Sequence, residues 1–485
     1  MIKVSEREDR LKKLKQLKKF GFNPYPAKAK RTQQISQLLT NFDQLVKIKE
    51  TIWLVGRLRS LRQHGNLTFA HLQDGTGQIQ IAFSKKEIGQ ISYQQFIDLI
   101  NIGDFLQVEG KPFITHRGEK SLLVKAWQIL AKALRPLPEK WHGFQDEEER
   151  LRKRYLDILF NAEIKQLIEK KAKFWLVVRS FLTSRGFLEV ETPVLENTTG
   201  GADARPFITR YQALDKDVYL RISMGELWQK KLMVAGLEKT FEIGRQFRNE
   251  GMDAEHLQDY TQMEFYWAYA DYLDGMALVK ELFCYLAKEI VGSLKFSYKN
   301  FKVDLSGPWQ TYDFSSVVKK FTAIDVHFAN LATIEKKLKQ LKIEYRQPGF
   351  NLTRAIDNLW KYCRKQLTGP GFLVGLPVVI SPLAKRDEKN PKLAQRFQVI
   401  IAGSELGNGY SELNDPLDQA ERFKAQAKMR AAGDQEAQMF DQEFIEALEY
   451  GMPPVCGFGM SERVFAFLMN KTMRECQIFP LMKPK

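Results

Sequence analysis

Cysteine and histidine are scarce in this chain, which has four cysteines and six histidines among 485 residues. The cysteines lie far apart, with no Cys-x-x-Cys pair and no nearby histidine to complete a zinc site; they are Cys284, Cys363, Cys456 and Cys476. No apolar run approaches the ~20 residues that a membrane-spanning helix needs, and no apolar signal segment stands at the N-terminus. These absences argue against zinc-binding, secreted and membrane proteins, and we expect a cytoplasmic protein with reduced thiols.

Positive charge and apolar residues, in contrast, are plentiful. Lysine and arginine number 74 against 58 aspartates and glutamates, which gives a formal net charge of +16. Such an excess favours a polyanionic partner, because neutralising phosphates releases counterions, although ribosomal and DNA-binding proteins share this property. The hydrophobic content of 44% is sufficient for burial, and 485 residues are too many for one core. We expect a globular protein of two or three domains.

Residues 1–49 predict a basic helical extension. Leu11, Leu14 and Leu17 fall at helical spacing among lysines and arginines, and Gly21 with two following prolines stops the helix. Two interpretations stay open. The helix either packs its leucines on the next domain with its charges solvated, or it lies as a cationic arm along an RNA backbone.

Residues 50–135 are dense in short strand patterns. Five segments alternate apolar and polar residues and are separated by turn formers, such as those at residues 74–77. This pattern predicts a closed barrel of the OB type, which binds single-stranded nucleic acid on its face. Arg57, Phe69 and Gln80 fall on successive strands, where a ring and two polar groups could contact an unpaired base. The alternative is that Phe69 is a core residue and Arg57 a solvated edge residue.

A linker at residues 136–150, with two prolines and a run of four acidic residues, leads to a second domain at residues 151–485. A long helix is predicted there over about residues 162–184. It is followed by a strand that ends at Pro193.

The next segments combine a glycine loop with helices. Residues 199–209 contain Gly200 and Gly201, which permit close approach of a ligand to the backbone, although most such pairs are plain turns. A helix begins at Glu226. Residues 272–370 alternate helical and polar stretches. This pattern predicts the outer part of the second domain together with an inserted helical part, and it contains no motif that indicates a catalytic or binding function.

Residues 240–271 predict an antiparallel hairpin, because an alternating apolar strand stands at each end. The loop between the strands carries Arg248, Glu250 and His256. On the return strand, Glu264 and Tyr266 share one face. Arginine clamps an oxyanion through a rigid fork of donors, and an aromatic ring can stack on a base, so these residue types suit a nucleotide. The alternative is a charged loop that is only solvated.

Two buried strands are predicted at residues 377–382 and 396–401, before a glycine-rich stretch. Residues 403–415 carry three acids, two amides and three glycines, and fit a functional loop and a turn equally well. Glu405 and Glu412 are seven residues apart, so on a regular strand they would face opposite sides. Both can line one pocket only if the chain bends between them.

Residues 451–468 predict a glycine-rich strand followed by a helix that carries Arg463. The Gly-Phe-Gly element could be mistaken for a dinucleotide-binding loop. The third glycine of that motif is missing, however, and no strand–helix–acid unit follows.

These stretches together resemble one family of enzymes. Residues 240–271 closely resemble motif 2 of the class II aminoacyl-tRNA synthetases, in the form found in lysyl-tRNA synthetases of subclass IIb and bacterial type. Residues 403–415 match the family's EIGNG[FY]SELND block almost letter for letter, and residues 451–468 resemble motif 3. About residues 170–195 resemble motif 1, and residues 50–135 resemble the anticodon-binding barrel. The resemblance implies an α+β protein, with a five-stranded OB-type barrel and a catalytic domain built on an antiparallel β-sheet flanked by helices.

The resemblance also implies an activity and a set of site residues. Proteins of this kind activate L-lysine with ATP, release pyrophosphate and transfer lysine to the 3′-terminal ribose of tRNA(Lys), with Mg²⁺ as cofactor. The residues implied for ATP are Arg248, His256, Tyr260, Glu405 and Arg463. Those implied for lysine are Gly201, Glu226, Glu264, Tyr266, Asn408, Tyr410 and Glu412. Catalysis is implied for Arg248, Glu250 and Arg463, and Mg²⁺ binding for Glu405 and Gln398.

Two further roles follow from the resemblance. Barrel residues at the positions of Arg57, Phe69 and Gln80 read the central U of the anticodon, and motif 1 with Pro193 forms a homodimer interface. Acids and a phenol suit lysine because its ammonium has three donors, and a neutral amino acid would leave buried acids unpaired.

The sequence departs from the family pattern at several points. Gln398 stands where a second acidic Mg²⁺ ligand is usual, and Glu255 stands where an arginine usually contacts the phosphates. Motif 3 is one residue short, and Met224-Gly225 adds a residue ahead of Glu226.

Three alternatives therefore stay open. A sister enzyme for aspartate or asparagine is disfavoured by the acids of the lysine pocket. An enzyme that attaches lysine to a translation factor is disfavoured by the barrel. The third is an RNA-binding protein whose activity has decayed.

Overall fold

The computed structural model describes residues 4–138, 146–251, 257–345 and 349–484, with side chains from residue 6 onward. The chain divides into two compact units, Met1–Asp146 and Glu147–Lys485. Within the described ranges, no helix has both the length and the apolar content that crossing a bilayer requires. The finer boundaries of the extension, the barrel and the linker stay predictions.

The first unit holds five strands and short helices around them. In chain order its elements are α1 (Val4–Lys19), α2 (Ile35–Thr40), α3 (Phe42–Ile48), β1 (Ile52–His64), β2 (Leu67–Gln73), β3 (Gln78–Ser84), α4 (Lys85–Ile88), α5 (Gln90–Leu99), β4 (Phe105–Ile114) and β5 (Lys120–Ala131).

The five strands close into a barrel in the order β1-β2-β3-β5-β4. Neighbouring strands are antiparallel except β3 and β5, which are parallel. Successive side chains of a strand point to opposite faces, and burial alternates along β1 and β2 accordingly. Inward residues such as Leu54, Leu72 and Val108 are fully buried. The predicted five-stranded barrel is confirmed.

Helix α1 packs against this barrel. Leu17 is fully buried in the barrel core, and Leu11 and Leu14 are partly buried. The Arg10 guanidinium donates to the carbonyl of Ile102 at 3.2 Å. The packing interpretation of the N-terminal helix is therefore confirmed, and a role along RNA stays a prediction.

The second unit is larger and mixed in structure. Its helices are α6 (Glu147–Arg152), α7 (Arg154–Phe160), α8 (Ala162–Thr183), α9 (Glu226–Val234), α10 (Tyr272–Leu286), α11 (Phe314–Thr322), α12 (Leu331–Gln340), α13 (Leu352–Arg364), α14 (Pro416–Ala431), α15 (Gln442–Glu449) and α16 (Arg463–Leu468). Its strands are β6 (Leu188–Glu189), β7 (Leu195–Glu196), β8 (Ile208–Tyr211), β9 (Lys216–Leu220), β10 (Lys239–Phe247), β11 (Asp259–Ala268), β12 (Lys295–Tyr298), β13 (Phe301–Asp304), β14 (Gln310–Asp313), β15 (Gly371–Val374), β16 (Arg396–Ile401), β17 (Ser404–Ser411) and β18 (Val455–Ser461). Gln212–Leu214 and Val378–Ile380 form 3₁₀ turns, and Ala287–Val291 is π-helical.

An eight-stranded sheet organises this unit, in the order β14-β15-β16-β17-β18-β11-β10-β6. The outer pairs β14–β15 and β10–β6 are parallel, and the pairs between them are antiparallel. The predicted hairpin is confirmed, because β10 and β11 pair from Lys239 opposite Trp267 to Phe247 opposite Asp259. The sheet is the antiparallel, helix-flanked platform that the resemblance implies.

The two faces of the sheet differ in polarity. Phe397, Phe458 and Phe265 are buried on the apolar face, and the first two rings stack with centroids 5.9 Å apart. Residues of α8 and α10, such as Phe174 and Leu282, belong to the same continuous core. The polar face carries the alternate residues of the same strands, and it is there that the candidate site residues lie.

A separate core supports the predicted inserted helical part. Helices α11, α12 and α13 contribute buried residues such as Val318, Ile334 and Leu359 to it. Within it, α12 is a surface helix, which buries Ile334 and Leu338 and exposes most of its other side chains.

The predicted buried strand at residues 377–382 is wrong. Val378–Ile380 forms a single 3₁₀ turn, and the Val379 side chain is 48% exposed. Pro377 and Pro382 have no N–H to donate to a neighbouring strand, so apolar composition alone was misleading here.

The stretch at residues 403–415 is largely a strand, β17, rather than a loop. Its register against β16 shifts by one residue, so that Glu405 lies opposite Ile400 and Gly407 opposite Val399. The extra residue at this β-bulge reverses the alternation of side chains between faces. The predicted bend between the two acids is therefore confirmed, and Glu405 joins the polar face.

Candidate active site

The polar face of the sheet forms the floor of a cavity of about 960 Å³. Its walls come from the glycine loop around Gly201, from α13 and from residues 433–436. This volume is at the upper end of the range for ligand sites. Within the described part of the chain, every residue predicted to bind ATP, lysine or Mg²⁺ lines this cavity. His256 and Glu255 lie outside the described residues.

Strand register explains why these residues meet. One row of paired residues crosses the sheet through Gln398, Asn408, Gly459, Glu264 and Glu242. The next row on the same face runs through Arg396, Tyr410, Gly457, Tyr266 and Thr240. Residues far apart in sequence are adjacent because each pairs directly with its neighbour across the ladder.

Three carboxylates and two phenols converge at one end of the cavity, and we call them the acid cage. They are Glu226, Glu264, Glu412, Tyr266 and Tyr410. The Tyr266 hydroxyl donates to Glu264 Oε2 at 3.0 Å, and the Tyr410 hydroxyl donates to Glu226 Oε1. Burial and the neighbouring carboxylates raise the pKa of both phenols well above their ordinary value. Both phenols therefore remain neutral hydrogen-bond donors.

Among the described residues, all the hydrogen-bond donors to Glu264 are neutral. It accepts from the backbone N–H of Met224 at 2.9 Å, from Gln262 Nε2 at 2.5 Å and from Tyr266. Burial, followed by the charge of Glu226, raises the pKa of Glu264 to about 7. The carboxyl group is thus poised to bind a cation that would stabilise its ionised form.

Two glycines make room for the cage. A Cβ at Gly457 would lie 2.0 Å from Glu412 Oε1 and 2.8 Å from Tyr266 Cε1, so no larger residue fits there. Gly201 has φ +85° and a Cβ would lie 2.4 Å from Ser223 Oγ. The glycine therefore allows the loop backbone to approach Glu226 closely.

The other end of the cavity contains Arg248, Glu250, Tyr260 and Arg463, and we call it the arginine end. Arg248 follows β10, donates from Nε to the carbonyl of Ile222 at 3.2 Å and lies 5.8 Å from the Tyr260 ring centroid. Burial opposes the charge of Arg248, but Tyr260 and Glu250 outweigh it and raise its pKa. Arg463 is the first residue of α16, at the end of the glycine strand β18. A fixed cation beside an aromatic ring suits a nucleotide phosphate and base.

Glu405 and Gln398, the predicted Mg²⁺ ligands, contact each other. Gln398 Nε2 donates to Glu405 Oε1 at 3.0 Å, and Arg364 of α13 donates to Glu405 Oε2 at 2.9 Å. The buried Gln398 Oε1 has no hydrogen-bond partner among the described residues. No group of three or more histidine, cysteine, aspartate or glutamate side chains suited to a metal is found in those residues. At the position predicted for Mg²⁺, the described residues thus provide two side chains with oxygen donors, Glu405 and Gln398.

Several residues in or directly behind the cavity escaped the sequence reasoning. Lys230 pairs with Glu226 and Glu412, and its signal was its position four residues after Glu226 in a predicted helix. Arg396 donates from Nε to Asn408 Oδ1 at 2.8 Å, which orients that amide.

Arg354 of α13 is a further omission. It forms ion pairs with Asp203 at 3.4 Å, with Asp434 at 3.1 Å and with Glu436 at 3.2 Å. These four residues lie on three segments that are distant from one another in sequence. No local pattern could have predicted this cluster at the cavity wall.

In the barrel, strand register places Arg57, Phe69 and Gln80 on one outer face. Arg57 lies opposite Gln73, and Phe69 and Gln80 follow on the same side of β2 and β3. Phe69 is half-buried rather than a core residue. Gln80 is buried and donates to Ser121 Oγ at 2.8 Å, whereas Arg57 lies over the Phe105 ring at 4.2 Å.

The segment around Pro193 is exposed and apolar. The strand predicted to end there is limited to Leu188–Glu189, which pairs with β10. Leu188, Val194 and Leu195 are each more than 40% exposed, and Leu176 on α8 is 59% exposed. Exposed apolar side chains thus occur on both segments of the region predicted to be motif 1.

Comparison with known proteins agrees with these observations. The family described as tRNA synthetases class II (D, K and N) matches residues 146–483, and the OB-fold nucleic acid binding domain matches residues 52–130. The lysine–tRNA ligase of Thermotoga maritima is 42% identical over 485 residues, covering 99% of this chain and 96% of the relative. The lysine–tRNA ligase of Moorella thermoacetica is 44% identical over 482 residues, covering 98% and 97%. The chain therefore belongs to the class II tRNA synthetases of the D, K and N group.

Proposed function

We propose that this chain is a lysine–tRNA ligase, which forms lysyl-adenylate and pyrophosphate from L-lysine and ATP and then transfers lysine to tRNA(Lys). The acid cage carries this proposal, because its carboxylates and phenols line the same cavity as Arg248. Such a cage suits a cationic side chain and repels the carboxylate of aspartate. Asparagine brings no cation to neutralise the acids of the cage. The two relatives named lysine–tRNA ligase support the same activity.

Lysine is proposed to span the cage. Glu264, Tyr266 and Glu412 receive the ε-ammonium, whereas Glu226 and the backbone of Gly201 receive the α-amino group. Tyr410 lines the cage through its bond to Glu226. Asn408, held by Arg396, contacts the substrate carboxylate. A neutral side chain of equal length would leave buried carboxylates unpaired, which is costly.

ATP is proposed to occupy the arginine end. Tyr260 stacks on the adenine, Arg248 binds the α-phosphate and the substrate carboxylate, and Arg463 faces the γ-phosphate. Glu250 lies beside the reacting atoms. His256 is assigned to the β- and γ-phosphates from its sequence position only.

The activation step needs no general base, because the lysine carboxylate is already a nucleophile. Its oxygen bonds to the α-phosphorus in line with the bond to the bridging oxygen, which breaks as pyrophosphate leaves. Arg248 and Arg463 offset the negative charge that builds up around the phosphorus. A ribose hydroxyl at the 3′ end of the tRNA then attacks the lysyl carbonyl, and AMP leaves with the bonding electrons.

Mg²⁺ fits beside Glu405 and Gln398. A carboxylate and an unpartnered amide oxygen are hard donors of the kind that Mg²⁺ prefers, and Mg²⁺ keeps much of its shell for waters and phosphates. When bound, the ion would neutralise phosphate charge and orient the nucleotide. Gln398 brings no charge and Arg364 competes for Glu405, so the protein contributes a weak site.

The remaining roles concern macromolecular partners. The outer face of the barrel is proposed to bind the anticodon, which would be read by Arg57, Phe69 and Gln80. The apolar surface at Leu188, Val194 and Leu195 is proposed to form a homodimer interface. The protein is proposed to act in the cytoplasm, where its four free cysteines would stay reduced.

Exchange of labelled pyrophosphate into ATP, measured with each of the twenty amino acids, tests the proposal. We expect exchange that depends on lysine and hardly responds to aspartate or asparagine, and then lysylation of tRNA(Lys). Exchange with aspartate or asparagine would identify a sister enzyme. Lysine exchange without tRNA charging would indicate another acceptor. No exchange with any amino acid would indicate an RNA-binding protein without activity.

A further inference from the structure

A second lysine, one of the chain's own, is buried behind the acid cage. Lys230 of α9 is fully buried and is not among the residues that line the cavity. Its Nζ donates to Glu226 Oε1 at 2.7 Å and forms an ion pair with Glu412 Oε2. The rings of Tyr410 and Phe444 lie within 6 Å of the same ammonium. Lys230 thus joins the two carboxylates that come from α9 and from the end of β17.

Stability alone does not explain a lysine at this position. Removing an ammonium from water is costly, and a well-packed apolar side chain often serves a core as well as a buried ion pair does. Here burial opposes the charge of Lys230, but Glu226 and Glu412 outweigh it and raise its pKa. The residue is therefore a permanent cation in contact with carboxylates that face the cavity.

The count of formal charges is informative. When Glu226, Glu264 and Glu412 are all ionised, as a bound cation favours, they contribute three negative charges and Lys230 one positive charge, which leaves the cage at −2. Free lysine brings two ammonium groups, one on its α-carbon and one at the end of its side chain. The cage with Lys230 is therefore matched in charge to the ammonium groups of one lysine, whereas without Lys230 it would carry one uncompensated charge.

We propose that Lys230 is a positioning residue that sets the amino-acid specificity of the site, by holding Glu226 and Glu412 in place and fixing the charge of the cage. This inference rests on the proposed function. Glu226 is assigned to the α-amino group and Glu412 to the ε-ammonium, so one buried cation fixes the distance between the two groups that measure the length of the substrate. An amino acid shorter by one methylene then reaches only one of them.

Lys230→Met and Lys230→Arg test this role in the lysine-dependent exchange reaction. Lys230→Met keeps most of the side-chain volume and removes the charge, and we expect the KM for lysine to rise roughly 10- to 100-fold, with the KM for ATP nearly constant. The preference for lysine over ornithine should fall roughly 10-fold, because a site in which Glu226 and Glu412 can shift discriminates less well against a side chain shorter by one methylene. Lys230→Arg keeps the charge and should recover part of both effects.

Lys231→Met is the matched control. Lys231 is the next residue of α9, points away from the cage and contacts the Trp228 ring and the exposed Glu443. Its loss should leave both KM values and the ornithine discrimination unchanged. Thermal unfolding of each variant separates a loss of folded protein from a change in the site, and Lys230→Arg remains informative if Lys230→Met does not fold.

The pH dependence of lysine binding is a readout that a purely structural role would not move. The titratable or charged groups around Lys230 and its carboxylates are Glu226, Glu264, Glu412, Tyr266, Tyr410 and Arg396. Burial raises the pKa of Glu412 and the charge of Lys230 opposes that rise, so removing the cation makes Glu412 harder to ionise. In Lys230→Met the acid limb of the lysine KM should therefore move to higher pH.

Two outcomes would overturn the inference in an active enzyme. One is a folded Lys230→Met variant with an unchanged KM for lysine, and the other is an equal rise in the KM values for lysine and ATP. A wild-type protein without lysine-dependent exchange would instead refute the proposed function. The two failures are therefore distinguishable.

Discussion

The two ends of the cavity hold their charges in different ways. In the acid cage, the carboxylates are fixed by the sheet and by the segment that includes α9: Glu264 by a backbone N–H and two side chains, and Glu226 and Glu412 by Lys230. At the arginine end, Arg248 lies against a carbonyl and an aromatic ring on a segment that leaves the sheet. The comparison indicates that the two ends have different functions. The cage selects the amino acid by its fixed geometry, and the arginine end neutralises the charge of the phosphates.

The largest effect is expected at the arginine end. Arg248→Gln removes the cation proposed to contact both the α-phosphate and the attacking carboxylate, so kcat/KM for exchange should fall by about 1000-fold. Steady-state exchange kinetics provide the measurement. Arg245→Gln is the control, because Arg245 lies on β10, just before Arg248, but is exposed and paired with Asp259. Wild-type kcat with Arg248→Gln would contradict the catalytic assignment of this end.

A smaller and more selective effect is expected in the cage. Glu412→Gln removes a charge that is proposed to receive the ε-ammonium, and it leaves Lys230 with one carboxylate instead of two. The KM for lysine should rise by about 100-fold, whereas the KM for ATP should change little. Glu443→Gln, at an exposed position on α15, serves as the control. If both KM values rose equally, the two ends of the cavity would not be separate in function.

The contrast between the two ends also explains which features were predictable from sequence. Strand alternation and glycine punctuation were sufficient for the barrel, the hairpin and the strand before Arg463, because these patterns are local. The acids of the cage were named through a resemblance. The meeting of Glu264 and Tyr266 with Tyr410 depends on the register of three strands, β11, β18 and β17, which no short stretch encodes.

The errors have physical causes as well. The apolar run at residues 377–382 was mistaken for a strand although its prolines cannot complete a ladder. Residues 403–415 were compatible with a loop, since glycine disfavours strands. Here, however, Gly409 is required because a Cβ would lie 2.6 Å from the Phe397 ring. Lys230 was overlooked because a lysine on a basic chain is ordinarily solvated, and only tertiary packing shows that it is buried.

The smallest expected effect is a pH dependence that distinguishes the two ends without any mutation. Burial and the charge of Glu226 raise the pKa of Glu264 to about 7 in the absence of substrate. Only the ionised carboxylate attracts an ammonium, and the ammonium of free lysine stays protonated well above that pH. The KM for lysine should therefore be constant above about pH 8 and rise as pH falls through 7, by at most ~10-fold per pH unit.

The KM for ATP separates this titration from a general loss of activity in acid. The guanidinium groups of the arginine end stay charged throughout this range. Exchange kinetics from pH 5.5 to 8.5 with both substrates varied should show lysine binding weakening in acid while ATP binding holds. Glu264→Gln should reduce the acid limb for lysine, leaving the contribution of Glu412, and it should leave the ATP curve in place. An acid limb of equal size for both substrates would assign the titration to the arginine end, and the cage would lose its claim to act independently.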